Sequence, residues 1–517
     1  MDPRPSDELS EAHRAPDRPR SDNTSTPGGN PPASSTSRPE GRSPTDHAAA
    51  GRVHSVEEYR DHVLTLVAPL AAEQVALDAL ATGTPARRVL AHDVRSLLDV
   101  PRFDASAMDG YAVRSADLAT ASAASPVTLR VVGDIAAAPT ATVPTPGPAA
   151  GQSTTPPTGA PLTDAGSPAT LTDAPSPATP ADDPPTTRPT HAPGEATRIM
   201  TGAPVPDWCD AVVPVERTST RRFTPGAPLD PTIQVDAPSR ANIRRRAEDV
   251  AIGDLVAAAG APTTARLVSA AASAGHASLA VHRVPRVAVL STGSELVPVG
   301  TAPGPGQIPD SNSLLLAACV RDAGGIPVRV GAVPDTAEAL RAVLDDVAPH
   351  VDLIVTSGGV SAGAFDVVKE VLSGAQDAAL PPAQGPSDFL LVAVGMQPGK
   401  PQAAARWRGT PMLGLPGNPV SAYVSFRAFV RPAVRRLAGH PDPAEPLVER
   451  VAAEGWRSPA GRQQFLPVRF VGDDGVAPVG PGAHHVSALT RADAIAVVPP
   501  EVEAVGPGDT VRVMVIA

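Results

Sequence analysis

Short apolar runs alternate with amphipathic segments between residues 286 and 439. The apolar runs, each of a length typical of a buried strand, are RVAVLS at 286–291, IPVRVGAV at 326–333, VDLIVT at 351–356, the segment 390–394 and MLGL at 412–415. Helical periodicity fills the intervals, at 314–323, 336–348, 366–372 and 420–437. Strands that alternate with helices predict a parallel, doubly wound α/β sheet.

Glycine-containing segments follow three of these predicted strands, STG at 291–293, TSGG at 356–359 and LPGN at 415–418. In such a sheet the ligand binds beyond the carboxyl ends of the strands, where loops without side chains let backbone N–H groups approach a phosphate. One such loop is more often an ordinary tight turn, but three together favour an anion site. No G-x-G-x-x-G follows a strand, and GMQPGK at 395–400 is not a P-loop. These patterns exclude a Rossmann dehydrogenase and a Walker NTPase.

Two proline-rich segments, 1–52 and 139–193, contain few large apolar residues. They cannot bury enough apolar surface to offset the conformational entropy that ordering would cost. We therefore predict a disordered N-terminal tail and a disordered internal insertion.

The other segments differ in their periodicity. Residues 53–100 repeat apolar positions at helical spacing, whereas 101–138 and 194–285 are mainly β in pattern. From residue 440 onward, short alternating runs separated by Gly, Pro and Asp predict a small β-barrel or sandwich.

Composition and charge restrict the class of protein. A net charge of −11 argues against nucleic-acid binding, which needs a concentrated basic face. No stretch approaches the roughly 20 apolar residues that span a bilayer, so we expect no membrane association and a cytoplasmic location. Cys209 and Cys319 are too few for a disulfide framework or a thiolate zinc site. We expect both to be small buried hydrophobic residues.

Acidic residues follow the predicted strands at the same edge of the sheet. Glu295 comes after the first glycine turn, Asp335 after the second strand and Asp366 after the third. Clustered carboxylates repel one another unless a cation or a proton is shared, so a hard metal such as Mg²⁺ is a natural occupant. Asp335 can equally be a helix cap, as can Thr336. Asp109 and Thr201 lie in turn-like segments where either can simply satisfy the local backbone.

Seven motifs in a fixed order identify a family resemblance. They are SAMDGYAV at 106–113, RIMTGAPVP at 198–206, NIRRRAED at 242–249, STGSEL at 291–296, TSGGVSAG at 356–363, PGKP at 398–401 and GLPGNPVSA at 414–422. Together they closely resemble the molybdopterin molybdenumtransferase family of the MoeA type, which also forms the terminal domain of gephyrin. The resemblance spans about residues 53–517 apart from the proline-rich insertion.

The resemblance implies a multidomain fold. A linker domain would comprise 53–100 and 241–285, with a β domain inserted at 101–240. An α/β molybdopterin-binding domain would cover 286–439 and a C-terminal β-barrel 440–517. It further implies an Mg²⁺-dependent homodimer that takes adenylyl-molybdopterin and molybdate, releases AMP and inserts molybdenum into the substrate's dithiolene. Other proteins of molybdenum cofactor biosynthesis would be its further partners.

Functional residues follow from the resemblance, position by position. Glu295, Asp335 and Asp366 would be catalytic and hold Mg²⁺, while Asp109 and Thr201 would complete the catalytic site from the partner subunit. The implied substrate-binding residues are Ser291, Thr292, Gly358, Gly359, Ser361, Lys400, Pro416, Gly417, Asn418, Pro419, Ser421, Arg462 and Ser487.

One departure concerns lysine. Many relatives carry further lysines shortly before PGKP, where this chain has Ala393 and Gln397. The oxyanion pocket would then depend on Lys400, alone or together with an arginine elsewhere in the chain. Molybdate and tungstate stay open as the substrate anion. Two alternative functions stay open as well. One is a non-catalytic pterin-binding scaffold. Such a scaffold would have no use for the carboxylates Asp109, Glu295, Asp335 and Asp366. The other is a molybdopterin adenylyltransferase, against which the additional domains argue.

Overall fold

The computed structural model describes eight stretches of the chain, all within one compact unit, Arg52–Ala517. These stretches are 52–83, 88–137, 191–224, 228–238, 241–360, 366–373, 386–480 and 486–516. The predicted tail, apart from Arg52, and the predicted insertion, apart from 191–193, lie outside the described residues. Across the described part, no helix is both long enough and apolar enough to cross a membrane.

The first part of the unit, up to residue 282, is mainly β. Its strands are β1 (Val53–His54), β2 (Ala72–Ala76), β3 (Val94–Arg95), β4 (Ala105–Ser106), β5 (Gly110–Val113), β6 (Val127–Ile135), β7 (Glu195–Ile199), β8 (Ala211–Pro214), β9 (Thr232–Val235), β10 (Ile243–Arg244), β11 (Leu255–Ala257) and β12 (Ser278–His282). Its α-helices are α1 (Val56–Thr65), α2 (Leu77–Thr82) and α3 (Ala265–Ser273).

A five-stranded sheet, in the order β8-β5-β7-β6-β9, forms the centre of this part. The chain enters and leaves it through three antiparallel pairs, β2 with β12, β3 with β11, and β4 with β10. Segments far apart in sequence therefore lie side by side. Helix α3 was not predicted, because its alanine-rich sequence lies between short β-like runs.

The first helix packs where the sequence did not predict it. Residues 53–100 were expected to be helical and to belong to the linker domain. Instead, β1 pairs in parallel with a strand of the α/β sheet, Pro386–Val394, and β2 and β3 interrupt the helical segments. Tyr59 of α1 is 1% exposed, and its ring packs edge to face on that of Phe429 with 4.8 Å between the ring centroids. Because its apolar stripe needs a partner, α1 belongs to the α/β core.

The end of the predicted insertion also needs correction. His191 lies within the predicted insertion 139–193 but is 8% exposed. Its ring stacks on Trp208 at 3.5 Å between centroids, and Arg114 donates a hydrogen bond to its carbonyl oxygen at 2.6 Å. The prediction of disorder is therefore wrong for His191, which is packed just before β7.

The α/β part contains nine strands and five α-helices among its described residues. The strands are β13 (Arg286–Thr292), β14 (Leu296–Val297), β15 (Ile308–Pro309), β16 (Ile326–Val333), β17 (Leu353–Ser357), β18 (Pro386–Val394), β19 (Met396–Gln397), β20 (Pro401–Trp407) and β21 (Thr410–Leu415). The helices are α4 (Ser311–Asp322), α5 (Ala337–Val347), α6 (Val367–Ser373), α7 (Pro419–Ser425) and α8 (Arg431–Leu437), with a π-helical segment at Phe426–Val430.

The main sheet has seven strands in the order β1-β18-β20-β21-β17-β13-β16. Strands β16, β13, β17 and β21 are parallel, as expected, but β20 runs antiparallel to both of its neighbours. The sheet is therefore mixed. Strand β20 was not predicted. It forms a hairpin with β21, and the two turn residues, Arg408 and Gly409, both have positive φ. Such two-residue turns suit antiparallel strands.

Alternate residues of the central strands pack against the two layers of helices. Val287 and Val289 of β13 join the core beneath α1, α4 and α8, whereas Ala288 and Leu290 join the core beneath α5 and α6. Successive side chains of a strand point to opposite faces, so a continuous apolar run is buried on both sides. The carboxyl ends of β13 and β17 are thereby held within a rigid layered core.

The C-terminal part closes into a barrel, which confirms the prediction. Its elements are β22 (Val448–Ala452), β23 (Trp456–Arg457), β24 (Gln463–Val471), β25 (Gly475–Pro478), α9 (Val486–Leu489), β26 (Ala494–Val498), β27 (Ala504–Val505) and β28 (Thr510–Val515). Pairings run β24-β25-β22-β28-β26 and return to β24. Strand β19 of the α/β part adds to β24 and joins the two parts.

Candidate active site at the carboxyl ends of the α/β sheet

A cavity of about 360 Å³ lies where β13 and β17 end and α4 begins. Its lining includes all three predicted acidic residues and parts of all three glycine-containing loops. The lining residues are Thr292, Glu295, Leu296, Ile308, Pro309, Asp310, Ser311, Asn312, Asp335, Ser357, Gly358, Gly359, Val360, Asp366, Pro401, Pro416, Gly417 and Pro419.

Two consecutive glycines shape one wall of the cavity. Gly358 and Gly359 have φ values of +92° and +68°. A Cβ atom on Gly358 would lie 2.6 Å from the carbonyl oxygen of Thr292, and one on Gly359 would lie 2.9 Å from Thr292 Oγ1. The loops after β13 and β17 are therefore too close together for any side chain. Their backbone is left accessible to a ligand.

Asp335 and Asp366 hold defined positions at the start of α5 and α6. Thr336 caps α5, since its side chain accepts a hydrogen bond from Ala339 N at 3.3 Å. Asp335 therefore does not cap α5. Its Oδ2 accepts a hydrogen bond from Ser294 N at 3.2 Å. Asp366 is 8% exposed and directly precedes α6. Both carboxyl groups line the cavity.

The oxygen donors fit a hard divalent cation. Within the described ranges, no group of three or more His, Cys, Asp and Glu residues is close enough together to hold a metal ion on its own. Mg²⁺ is usually bound through one or two carboxylates together with substrate phosphates, which does not require a closed protein cage. Glu295, Asp335 and Asp366 line the cavity beside the glycine loops, so one or two of their carboxylates together with bound phosphates would fit this mode of binding.

Comparisons with known proteins match this architecture along the chain. The family model for the MoeA N-terminal region (domain I and II) matches residues 54–275. A model for a probable molybdopterin binding domain matches 288–436, and one for the MoeA C-terminal region (domain IV) matches 449–516. The chain belongs to the MoeA family.

Individual MoeA-family relatives are similar over most of their length. Molybdopterin molybdenumtransferase 2 of Mycobacterium tuberculosis is 39% identical over 82% of this chain and 91% of its own. Molybdopterin molybdenumtransferase of Haemophilus influenzae is 31% identical over 83% and 91%. The crystal structure of a molybdopterin biosynthesis MoeA protein from Pyrococcus horikoshii covers 90% of this chain and 99% of its own, with a TM-score of 0.66 and 26% identity.

Other predicted residues of this MoeA-family chain support the cavity without lining it. Ser291 is fully buried, and its Oγ lies 3.4 Å from Ser357 Oγ. Asn418 caps α7 by accepting from Val420 N at 3.0 Å and Ser421 N at 3.2 Å. Their contacts hold the glycine loops in place. Ser361 lies outside the described residues.

Lys400, Arg462 and Ser487 do not line the cavity either. The Lys400 side chain is exposed next to Pro401, which does line it. Arg462 donates to Gln397 Oε1 at 3.4 Å, where β19 joins the barrel, and the Ser487 side chain is exposed on α9. The structure does not bring these three residues together.

Asp109 and Thr201 form a pair in the five-stranded sheet region. Asp109 Oδ1 accepts from Thr201 N at 2.7 Å and from Thr201 Oγ1 at 2.8 Å. The backbone hydrogen bond first, and the hydroxyl second, lower the pKa of Asp109 below its ordinary value. Neither residue lines the cavity of its own chain.

Sequence reasoning missed Asp310 and Asn312 as site residues. Both line the cavity, and both are buried, at 1% and 9% exposure. The sequence DSN at 310–312 is typical of helix caps, and Asp310 does cap α4 by accepting a hydrogen bond from Ser313 N at 3.1 Å. Its position directly before a helix that starts at the cavity was the available signal.

Proposed function

We propose that this chain is a molybdopterin molybdenumtransferase that hydrolyses adenylyl-molybdopterin, releases AMP and inserts molybdenum from molybdate into the molybdopterin dithiolene. One observation carries the proposal. Three carboxylates and the glycine loops of β13, β17 and β21 line one cavity, in a chain 39% identical to a protein named for this activity.

Each part of the cavity has a role in this reaction. The backbone N–H of Gly359 would bind a phosphate. Gly358 N donates to Leu415 O at 3.0 Å and would hold the loop in place for this contact. One or two carboxylates among Glu295, Asp335 and Asp366 would hold Mg²⁺ against the same phosphates. When bound, Mg²⁺ would neutralise the charge that develops on the phosphoryl group.

Hydrolysis would break the bond between the adenylyl phosphorus and the bridging oxygen of the molybdopterin phosphate. The oxygen of water would join the adenylyl phosphorus as AMP forms, and molybdopterin phosphate would keep the bridging oxygen. The three carboxylates and the glycine loops would orient both phosphates for this displacement. Binding in a fixed orientation is a large part of catalysis in phosphoryl transfer.

The sulfur ligands of molybdenum would come from the substrate. Burial raises the pKa of Cys209 to about 11 and that of Cys319 to about 12, and both are free thiols. A thiol with such a pKa is protonated at neutral pH and is a poor metal ligand. The substrate's own dithiolene would therefore bind the molybdenum, and Lys400 would be the contact to molybdate.

The active enzyme would be a homodimer. Asp109 and Thr201 lie together but away from their own cavity. In the dimer they would complete the cavity of the partner subunit, as the family resemblance implies.

The test is a turnover assay with purified protein. Adenylyl-molybdopterin, molybdate and Mg²⁺ should give AMP and active cofactor in equal amounts, and EDTA should abolish AMP release. No turnover by folded protein would contradict the proposal. Formation of adenylyl-molybdopterin from ATP and molybdopterin would identify an adenylyltransferase instead.

A further inference from the structure

Asn312 connects two of the glycine loops beneath the cavity. It is the second residue of α4, and its Nδ2 donates to Ser357 Oγ at 3.0 Å and to Gly417 O at 2.7 Å. Gly417 O can only accept, so the amide nitrogen is the atom that faces it. Both amide hydrogens are therefore used within the protein, and the orientation of the side chain is fixed.

The amide oxygen of Asn312 remains without a partner among the described residues. Asn312 Oδ1 is buried, in a side chain that lines the cavity and is 9% exposed. A buried acceptor without a hydrogen bond is costly and is uncommon in folded proteins. An acceptor held in this way is suited to a ligand that brings its own N–H or O–H donor.

A hydrogen-bond network fixes the first turn of α4, which carries Asn312. Arg329 Nε donates to Ser313 Oγ at 2.8 Å, and Ser313 N donates to Asp310 Oδ1 at 3.1 Å. Asp310 is 1% exposed and is the N-cap residue of α4. The first turn of α4 is thus locked before any ligand arrives, which is the condition for selective recognition.

Only a ligand group with an N–H or O–H can satisfy the amide oxygen of Asn312. At neutral pH the bridging phosphate groups of adenylyl-molybdopterin carry no hydrogen, so they cannot satisfy an acceptor. Pterin, in contrast, has a lactam N–H next to an amino group. A site that hydrogen-bonds such a donor rejects analogues that lack it, because its own polar group is then left unpaired.

We propose that Asn312 is a specificity-determining residue whose amide oxygen accepts a hydrogen bond from the N–H edge of the substrate's pterin ring. The proposal rests on the proposed function and adds to it the orientation of the substrate. The pterin lies toward α4, and the phosphates lie toward Gly358 and Gly359.

The first experiment measures binding of molybdopterin and of AMP, separately and in EDTA, to the full-length protein. Asn312→Leu removes the acceptor at similar volume and should weaken molybdopterin binding by at least about tenfold, with AMP binding nearly unchanged. Leu314→Ala, an exposed position two residues along α4, is the matched control and should bind both ligands normally. Unchanged molybdopterin binding overturns the proposal. A loss confined to AMP also overturns it, since adenine would then be the ring that Asn312 contacts.

A second measurement uses the wild-type protein and does not depend on a variant that folds. Pterin should displace bound molybdopterin at a lower concentration than its N3-methyl derivative, whose lactam nitrogen has no hydrogen. Equal displacement, including none by either compound at millimolar concentration, contradicts the proposal. AMP release by the wild-type protein separates this failure from a failure of the proposed function, because the enzyme can turn over without using Asn312 in this way.

Discussion

Lys400 is one of only two lysines in the chain, and its backbone is firmly held although its side chain is exposed. Lys400 O accepts from Val394 N at 2.7 Å. The preceding Gly399 has a φ of +104°, and its carbonyl oxygen accepts from the buried Gln402 at 2.7 Å. The turn that presents Lys400 is therefore supported from the protein interior, as a residue that contacts a small anion requires.

We predict that Lys400→Arg raises the molybdate concentration needed for half-maximal activity by about tenfold, because a planar guanidinium cannot replace a compact ammonium group beside a small anion. The measurement is cofactor formation at varied molybdate. Lys369→Arg, on the exposed face of α6, is the matched control and should leave the curve unchanged. Identical curves for the two variants would remove Lys400 from the anion site.

The Asp109–Thr201 pair gives a prediction about pH. Hydrogen bonds to the ionised carboxylate lower the pKa of Asp109, so the pair stabilises the fold above the ordinary pKa of 3.8. This contribution disappears as the pH falls through the lowered value. Thr201→Val removes one donor and keeps the backbone N–H. The pKa of Asp109 should therefore rise but stay below its ordinary value, as a carboxyl NMR titration would show.

The same titration contains its own control. Asp104 also has a lowered pKa, caused first by a hydrogen bond from Arg246 N and then by Arg245. Thr201 has no part in that shift, so Asp104 should titrate as in the wild-type protein. An unchanged Asp109 would show that the Thr201 hydroxyl does not stabilise the carboxylate.

At the scale of secondary-structure elements, the loops after β13 and β17 approach each other closely at Gly358. Gly358 and Gly409 both have positive φ, at +92° and +84°. A Cβ atom on Gly358 would lie 2.6 Å from Thr292 O, whereas one on Gly409 would meet nothing within 4 Å. An alanine at either position would therefore be held in a left-handed conformation. Only the alanine at 358 would also clash with a neighbouring loop.

We predict that Gly409→Ala lowers the free energy of unfolding by about 1 kcal/mol, the usual cost of a left-handed conformation for a residue with a Cβ. Gly358→Ala should cost at least about 2 kcal/mol more, because the loops after β13 and β17 must separate. Urea unfolding of the two variants gives the comparison. Equal losses would mean that the two loops move apart without resistance.

A shared active site makes a prediction for the whole molecule. Asp366 lines the cavity of its own chain and Asp109 does not. If two subunits build each site, a mixed dimer of Asp109→Asn and Asp366→Asn subunits has one site with both native residues. Refolding an equal mixture of the inactive variants should then restore about a quarter of the wild-type rate of AMP release, because half of the dimers are mixed.

Glu295→Gln with Asp366→Asn is the matched control pair. Both residues line the same cavity, so a mixed dimer of these variants has no intact site and should stay inactive. Failure of the Asp109→Asn and Asp366→Asn mixture to recover activity, in a preparation shown to contain mixed dimers, would place each active site within one subunit.

Local patterns in the sequence determined much of this molecule. The continuous apolar runs of β13 and β17 predict strands buried on both faces, and the positions of Glu295, Asp335 and Asp366 after strands predict carboxylates at one edge of the sheet. The ordered motifs determined the family. All of these signals depend on neighbouring residues or on a fixed chain order, which a sequence displays directly.

Only the tertiary structure decided the contacts between distant segments. It packs α1 on Phe429, inserts β20 antiparallel into the sheet and joins β19 to the barrel. It also leaves one oxygen of Asn312 without a partner in the described residues, beside Ser357 and Gly417, which lie 45 and 105 positions further along the chain. Burial and hydrogen-bond satisfaction are properties of the complete arrangement of neighbours in space, so no local pattern could reveal them.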